Sequence, residues 1–223
     1  MNKIDTKSLF NINETIAKDL FNSVKYPFEV LPNIKDYITN KLTSLGEEYN
    51  IIDNKIAIHN TANVSPKAEI IGPVIICANA IIKPFACIRE NTIIGKNAEV
   101  GSFCEVKNSI IFNSARIAHH NYVGDSIIGL KVHFGAGAIT SNLKSDETNI
   151  VLKIDGETIE TGLEKFGALI GDNVEIGCNA VMNPGTVIGK STNIYPLSNV
   201  RGYIGPNMIY KDSKNIIEKL NKE

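Results

Sequence analysis

The sequence predicts an all-β solenoid in which short strands wind into a triangular prism. The first observation is a six-residue period of aliphatic residues that runs without a miss through Ile58, Val64, Ile70, Ile76, Ile82, Ile88, Ile94, Val100 and Val106. The second is a mostly small side chain four residues after each of them, as at Ala62, Ala68 and Ala80. Neither an amphipathic helix nor a hairpin meander has this period, whereas short strands joined by tight turns do.

Three such hexads form one coil of about 18 residues, with the aliphatic side chain inside the prism and the small one in the space beside it. The period continues, with shifts, as far as Val200. About twenty-one hexads predict roughly seven coils, stacked about 4.8 Å apart, in a prism about 34 Å long. We assign residues 56–206 to this solenoid, whose two open ends require caps.

Both flanks of the solenoid lack the six-residue period and favour helices. Residues 1–55 contain an amphipathic run that Asn13 caps and a second run after the proline-containing segment YPFEVLP, so we expect an N-terminal helical cap. Residues 207–223 carry Ile209, Ile216 and Ile217 in an amphipathic pattern, so we expect a C-terminal helix over the other end.

Residues 142–166 interrupt the period and predict an extruded β-hairpin. The stretch IVLKIDGETIET has two alternating runs around Asp155-Gly156, a pair suited to a type I′ turn. A long excursion from a regular solenoid is more often functional than ornamental, with an arm that stabilises an assembly as the alternative.

The composition argues against several classes of protein. The chain has 223 residues with 23 basic and 24 acidic side chains, so no overall field attracts nucleic acid or an anionic membrane. It has neither a secretory h-region nor a long apolar stretch, and we expect it to be cytoplasmic. Its four cysteines share no C-x-x-C spacing, so we expect reduced structural thiols and no cysteine nucleophile.

One region combines an irregular period with residues that carry chemistry. One-residue shifts of the period after Val106 and after Val123 bracket His119, His120 and Tyr122. A single histidine is most often structural or solvated, but local departures from a rule tend to mark functional sites. We therefore consider this segment the first candidate for an active site.

Three ordered motifs in this region resemble one family. The runs EVKNS at 105–109, HHNYVGD at 119–125 and GAGAITSN at 135–142 are similar to the acetyltransferase domain of the bifunctional enzyme that makes UDP-N-acetylglucosamine. The similarity extends over about two-thirds of the chain, from Ile58 to Lys211. It implies a left-handed β-helix, a homotrimer, acetyl-CoA bound in the grooves between neighbouring prisms, and glucosamine 1-phosphate as the acceptor.

The resemblance also implies a role for each matching residue. The implied roles are His119 as catalytic base, Ala136 as the donor of a backbone amide to the carbonyl oxygen, Arg89, Lys107, Tyr122, His133 and Asn142 as sugar-phosphate ligands, and Ala136, Lys165, Cys178 and Lys211 as residues near coenzyme A. Two positions depart from the family pattern, where His133 replaces an asparagine and Leu143 replaces a tyrosine.

The whole chain also resembles a short subfamily often labelled UDP-N-acetylglucosamine pyrophosphorylase. Uridylyl transfer needs a nucleotide-binding domain that opens with a glycine-rich, arginine-containing phosphate loop. The sequence contains no such motif, so we expect an acetyltransferase and no uridylyltransferase.

The residue types suit amide formation from a thioester. A histidine accepts a proton from the substrate amine near neutral pH, and a guanidinium with an ammonium holds a phosphate. Arg89 and Lys107 are one coil apart, so we expect them to stack on one face about 4.8 Å apart. The glycines around Ala136 permit close approach of a backbone N–H to the developing oxyanion.

Three other functions compete with this one. A carbonic anhydrase of the γ class shares the fold but needs three histidines on a metal, and the adjacent His119 and His120 point to opposite faces of a strand, so we expect no metal. A non-catalytic protein that binds a sugar phosphate or nucleotide sugar is the second, motivated by His133 and Leu143. An acyltransferase for a different amino sugar is the third.

Overall fold

The structure is a computed structural model, and it describes residues 3–154 and 156–220. Three sheets wind around one axis as a left-handed parallel β-helix, which confirms the predicted fold class. Within the described residues the strands form seven complete coils and part of an eighth, as the count of hexads predicted.

Sheet I has nine strands, and its first strand is antiparallel to the second. They are β1 (Tyr49–Ile52), β2 (Ile56–His59), β5 (Val74–Ile76), β8 (Thr92–Ile94), β11 (Ser109–Ile111), β14 (Ile127–Ile128), β19 (Ala168–Ile170), β22 (Thr186–Ile188) and β25 (Tyr203–Ile204). Sheet II contains β3 (Asn63–Val64), β6 (Ile81–Ile82), β9 (Glu99–Val100), β12 (Arg116–Ile117), β15 (His133–Phe134), β20 (Glu175–Ile176), β23 (Asn193–Ile194), β26 (Met208–Asp212) and β27 (Asn215–Glu218). Sheet III contains β4 (Glu69–Ile70), β7 (Cys87–Ile88), β10 (Glu105–Lys107), β13 (Tyr122–Gly124), β16 (Ile139–Thr140), β21 (Val181–Met182) and β24 (Asn199–Val200).

The interior of the prism is the column of aliphatic residues that the six-residue period predicted. Ile76, Ile82 and Ile88 are completely buried, and equivalent residues of the neighbouring coils pack on them in one continuous core. The backbone ladder between coils is regular, with Val106 paired to Ile88 and Val123 to Val106. This register fixes which outward side chains lie next to each other.

We expected the N-terminal segment to cap one end of the prism. Instead, it covers sheet I along its length. It contains α1 (Thr6–Leu9), α2 (Ile34–Leu42) and 3₁₀ turns at Ile12–Glu14, Lys18–Ser23 and Pro27–Asn33. The backbone N–H groups of Asp172 and Asn113 donate hydrogen bonds of 3.0 Å to Leu9 O and Glu14 O, respectively, so the segment spans several coils.

An apolar outer face on sheet I explains this arrangement. Ile75, Ile93, Ile110 and Ile127 point away from the prism and are buried in a second core with the N-terminal side chains. Two adjacent aliphatic residues in these strands bury both faces of the sheet, so the face needs a lateral cover. No described helix is long and apolar enough to cross a membrane.

The predicted hairpin is present, although it packs against the prism instead of projecting from it. β17 (Val151–Ile154) pairs with β18 (Glu157–Glu160). Ile150, Leu152 and Ile154 are almost completely buried in the second core. Of the predicted turn pair, Asp155 lies outside the described residues.

The expected C-terminal helix is wrong. Residues 208–218 form the antiparallel hairpin of β26 and β27, and β26 pairs in parallel with β23. The Asp212 carboxylate accepts hydrogen bonds from the backbone N–H groups of Lys214 and Asn215 at 2.8 and 3.0 Å and so forms the turn. A strand forms hydrogen bonds with the backbone groups at the open edge of sheet II, which a helix cannot do. This pairing outweighs the apolar pattern that suggested a helix.

Candidate active site

The first group of predicted site residues lies at the corner where the chain passes from sheet III to sheet I. We call this the III–I corner, and it includes residues 89–91, 107–108, 124–126 and 141–167. The register of β7 and β10 places Lys107 beside Arg89, as their spacing predicted. Asn142 lies two coils farther on, because β16 pairs with β13.

Asp125 joins several of these residues. Its carboxylate lies 3.6 Å from Lys107 Nζ, accepts a hydrogen bond of 2.8 Å from Asn108 Nδ2, and accepts a second from Asn142 Nδ2. The Asp125 side chain is only 7% exposed and that of Lys107 16%. These contacts tie three neighbouring coils of the corner together.

Tyr122 reaches into this corner because the next outward position is a glycine. A Cβ at Gly124 would lie 2.5 Å from the Tyr122 hydroxyl, so any other residue here would force the ring to shift. Burial, followed by the carboxylates of Asp125 and Glu105, raises the pKa of Tyr122. The phenol therefore stays neutral near pH 7 and keeps its proton as a hydrogen-bond donor.

The cations of this cluster are already paired. Arg89 Nη1 lies 2.8 Å from Glu105 Oε1, and Arg89 Nη2 lies 3.3 Å from Glu90 Oε1. With Asp125, three carboxylates surround Arg89 and Lys107. A phosphate at this corner would therefore compete with these carboxylates for the two cations.

The second group of residues lies at the corner between sheets II and III. We call this the II–III corner, formed by the four-residue turns 65–68, 83–86, 101–104, 118–121, 135–138, 177–180 and 195–198. His119, Ala136 and Cys178 occupy the same position in three consecutive turns, where Gly137 N donates to His119 O at 2.9 Å and Asn179 N to Ala136 O at 2.8 Å. No acceptor among the described residues receives the backbone N–H of Ala136, so this group is available for an oxyanion.

Asn121 is a site residue that sequence reasoning missed. Its buried side chain accepts a hydrogen bond of 2.9 Å from His119 N and donates to Gly135 O and Ala138 O at 2.8 and 3.1 Å. The turn that carries His119 is thereby fixed to the turn that carries Ala136. The sequence did contain a signal for this residue. Asn121 lies four residues after an inward aliphatic residue, at the position where most other hexads carry a small side chain.

A shallow strip without large side chains runs along sheet II beside this corner. Gly101, Ala118, Gly135 and Gly177 are the first residues of the corner turns in four consecutive coils, which span about 14 Å. A side chain added at these glycines would clash with the backbone of the next coil. At Gly177, for example, a Cβ would lie 2.3 Å from Pro196 N. This strip therefore carries no side chain larger than a methyl group.

The remaining predicted site residues lie apart from these two groups within one chain. His133 is outward on sheet II, with Nδ1 2.9 Å from Glu175 Oε2. Lys165 is exposed at the base of the hairpin, bridged to Leu143. Lys211 lies at the far end of the strip, with Nζ 5.7 Å from the centre of the Tyr195 ring.

Other reactive groups contribute little. Burial raises the pKa of the Cys77 thiol to about 11, which keeps it protonated. No group of three or more His, Cys, Asp or Glu side chains within 3–154 and 156–220 is arranged to hold a metal ion.

The chain is similar in sequence to several known proteins. Residues 70–166 match the family model described as the GMPPB C-terminal domain. The chain is 36% identical over 192 residues to a bifunctional sugar-1-phosphate nucleotidylyltransferase/acetyltransferase of Sulfurisphaera tokodaii, a match that covers 75% of this chain and 48% of that protein. It is 34% identical over 204 residues to the bifunctional protein GlmU of Methanocaldococcus jannaschii, covering 90% of this chain and 50% of that protein.

The chain thus spans about half the length of these curated relatives. Among solved structures, a mutant of AntD, an N-acyltransferase from Bacillus cereus in complex with dTDP and coenzyme A, is 14% identical with a TM-score of 0.43, covering 75% of this chain and 81% of that one. The hexad core and the sheet topology identify the chain as a left-handed β-helix of the hexapeptide-repeat class, and in sequence it is similar to bifunctional proteins of which one is described as a nucleotidylyltransferase/acetyltransferase.

Proposed function

We propose that this chain transfers an acetyl group from acetyl-CoA to the amine of an amino-sugar phosphate, with glucosamine 1-phosphate as the first acceptor to test. The observation that carries the proposal is the placement of Arg89 and Lys107 at one end of the short strands of sheet III and of His119 at the other end. A sugar phosphate that lies across the sheet contacts both ends.

The III–I corner provides groups for the acceptor. Arg89 and Lys107 offer a guanidinium and an ammonium to the phosphate, and Tyr122 and Asn142 offer hydrogen bonds to sugar hydroxyls. Asp125 holds Lys107 and Asn142 in place through the contacts described above.

The II–III corner provides groups for the reaction. The exposed His119 imidazole accepts the proton of the attacking amine, and the free N–H of Ala136, one coil away, stabilises the negative charge on the thioester oxygen. The amine then forms the amide bond and the CoA thiolate leaves.

The strip of small residues on sheet II is where we place the pantetheine arm of acetyl-CoA. It leads from His119 and Ala136 past Cys178 toward Lys211, whose ammonium suits a phosphate of the coenzyme. No covalent or redox role falls to Cys178 in this scheme.

We also propose that the chain assembles as a homotrimer. Sheet I is covered by the N-terminal segment and the hairpin, so sheets II and III are the faces left for neighbouring prisms. A groove between sheet II of one copy and sheet III of the next would bring the strip and His133 to the acceptor corner. A monomer by light scattering at micromolar concentration would contradict this arrangement.

The test of the function is thiol release from acetyl-CoA with a panel of amino-sugar phosphates and their unphosphorylated forms. We expect stoichiometric acetylation of a phosphorylated amino sugar. Tight binding of the panel without thiol release would instead support the non-catalytic alternative.

A further inference from the structure

A cavity of about 370 Å³ lies between the N-terminal segment and the corner where the chain passes from sheet I to sheet II. The N-terminal segment contributes Lys41, at the end of α2, to its lining, and the coils contribute His59 and Lys96. Among the described residues, none that we assign to acetyl transfer lines this cavity. We call the corner the I–II corner and the cavity the I–II cavity, and the corner includes residues 59–62, 77–80, 95–98 and 112–115.

Asn113 connects the two walls of the I–II cavity. Its Nδ2 donates a hydrogen bond of 3.0 Å to Glu14 Oε2 in the N-terminal segment, and its Oδ1 accepts one of 2.8 Å from Lys96 N. Its backbone N–H also donates to Glu14 O at 3.0 Å. These contacts attach the N-terminal segment to the turn that carries Lys96.

The I–II cavity is separate from the III–I corner. Helix α2 crosses sheet I, so that Lys41 lies at the I–II corner whereas Lys35 lies at the III–I corner. There Lys35, Lys55 and Glu90 line another cavity, of about 480 Å³, which shares no described lining residue with the first. Different substitutions can therefore test the two places.

The I–II cavity carries an excess of positive charge. Lys41 and Lys96 line it from different walls, and within the part of the chain that the structure describes neither ammonium forms an ion pair or a hydrogen bond. Glu48 is the one carboxylate among the described lining residues. Two ammonium groups without counter-ions repel one another across a cavity, whereas an anion between them attracts both.

The lining also offers neutral hydrogen-bond donors. Thr61 N donates to His59 Nδ1 at 3.1 Å, so the proton of the neutral imidazole lies on Nε2, for which no described residue is an acceptor. Burial, followed by the Cys77 thiol, raises the pKa of Tyr49, another lining residue, so the phenol keeps its proton near pH 7. The cavity thus presents two cations and two neutral donors.

From these groups we infer that the I–II cavity binds a phosphate group, as inorganic phosphate or as the monoester of a small metabolite, between the Lys41 and Lys96 ammonium groups. A phosphate monoester carries a charge of about −1.5 to −2 near neutral pH and three acceptor oxygens, which suits this set of donors better than a carboxylate does. Its binding joins α2 to the I–II corner and stabilises the folded chain. The inference does not depend on the proposed acetyl transfer.

The first experiment is a calorimetric titration of inorganic phosphate, carried out in the Arg89→Ala variant to weaken any phosphate site at the III–I corner. We expect saturable binding that weakens at least about tenfold when Lys41→Ala/Lys96→Ala is added, because two charge-assisted contacts are lost. Lys7→Ala/Lys131→Ala is the charge-matched control, since both lysines are exposed and lie outside the cavity. Absence of binding in Arg89→Ala, or equal binding with and without Lys41 and Lys96, would overturn the inference.

Glycerol 3-phosphate, titrated in the same way, distinguishes the two sources of phosphate. Binding with the same dependence on Lys41 and Lys96 supports a monoester, and binding of inorganic phosphate alone supports the free ion. Acetate at the same ionic strength should leave phosphate binding unchanged. Equal competition by acetate would overturn the choice of phosphate.

Unfolding in urea gives a second readout. Inorganic phosphate should raise the midpoint of the full chain and of Lys7→Ala/Lys131→Ala but not that of Lys41→Ala/Lys96→Ala. The midpoints without phosphate show that each variant is folded, and Lys96→Ala alone serves the same comparison if the double variant does not fold. An equal rise in all proteins would reflect exclusion of phosphate from the protein surface and would overturn the inference.

Discussion

The II–III corner and the III–I corner of this prism are built by opposite rules. At the II–III corner the inward residues are six apart in every coil, as from Val100 to Val106 and from Ile117 to Val123. At the III–I corner the spacing shortens to five after Val106 and again after Val123, and then lengthens by the whole hairpin. All departures from the period within the coils thus fall on one edge.

This difference separates two tasks. A thioester presents the same chemistry to every acyltransferase, and in our proposal it binds at the regular corner, beside the free amide of Ala136 and His119. An acceptor has a particular shape and charge, and in our proposal it binds at the irregular corner, which carries the Asp125 network. We therefore expect changes at one corner to leave the other ligand unaffected.

The largest expected effect comes from His119. His119→Ala should lower kcat by about 10²–10⁴ because a general base contributes that much, with little change in acetyl-CoA affinity. His120→Asn is the control, since His120 has a φ of 51° and stacks on Phe103 with ring centres 5.2 Å apart, away from the amine. Loss of transfer in His120→Asn with activity retained in His119→Ala would shift the catalytic assignment by one residue.

The hairpin inserted at the III–I corner should matter for stability. Leu152 is 3% exposed in the second core, so Leu152→Ala should reduce the free energy of unfolding by about 2–4 kcal/mol. Leu197→Ala, at a position 79% exposed, should change it by less than about 0.5 kcal/mol. Denaturant titration of both variants measures this, and an unaffected Leu152→Ala would make the hairpin a dispensable arm.

Asn121 should matter for the stability of the regular corner. Asn121→Ala leaves His119 N, Gly135 O and Ala138 O without this partner and should cost about 1–3 kcal/mol of unfolding free energy. Asn179→Gly, an exposed asparagine two coils farther along the same corner, should cost much less. Equal midpoints in urea for the two variants would remove Asn121 from the account.

A smaller effect is expected from Arg89, which shares its guanidinium with two glutamates. Arg89→Ala should lower kcat/KM for a phosphorylated acceptor by about tenfold and leave the unphosphorylated sugar almost unchanged. Arg201→Ala, on the same face of sheet III but several coils away, is the matched control. Equal losses on both sugars would rule out a phosphate contact.

The core of the fold was predictable because burial inside a prism imposes a strict period on the inward residues. The lateral position of the N-terminal segment was not predicted, although the paired aliphatics Ile75-Ile76 and Ile93-Ile94 already indicated a sheet buried on both faces. The C-terminal tail was predicted as a helix because a local apolar pattern cannot reveal that β23 leaves an open edge.

The candidate site was predictable where a motif or a spacing defines it. The stacking of Arg89 and Lys107 followed from one coil of separation, and the column of His119, Ala136 and Cys178 from the resemblance. We associated the one-residue shifts of the period with the histidines. The shifts lie at the III–I corner, however, whereas the histidines lie at the II–III corner. A shift in a one-dimensional pattern does not identify the edge of the prism on which it falls. The cavity that Lys35 and Lys55 line at the III–I corner was not predicted, because these two residues come from two elements separated along the chain.

The most direct test of a division between the corners is a crossed affinity measurement by calorimetry. Acetyl-CoA and the acceptor are each titrated into Ala118→Leu, which fills the strip on sheet II, and into Arg89→Ala. The account predicts that Ala118→Leu weakens acetyl-CoA at least about tenfold with acceptor affinity within about twofold, and that Arg89→Ala does the reverse. If either variant weakened both ligands equally, or if the two effects were exchanged, the assignment of the thioester to one corner and the acceptor to the other would be wrong.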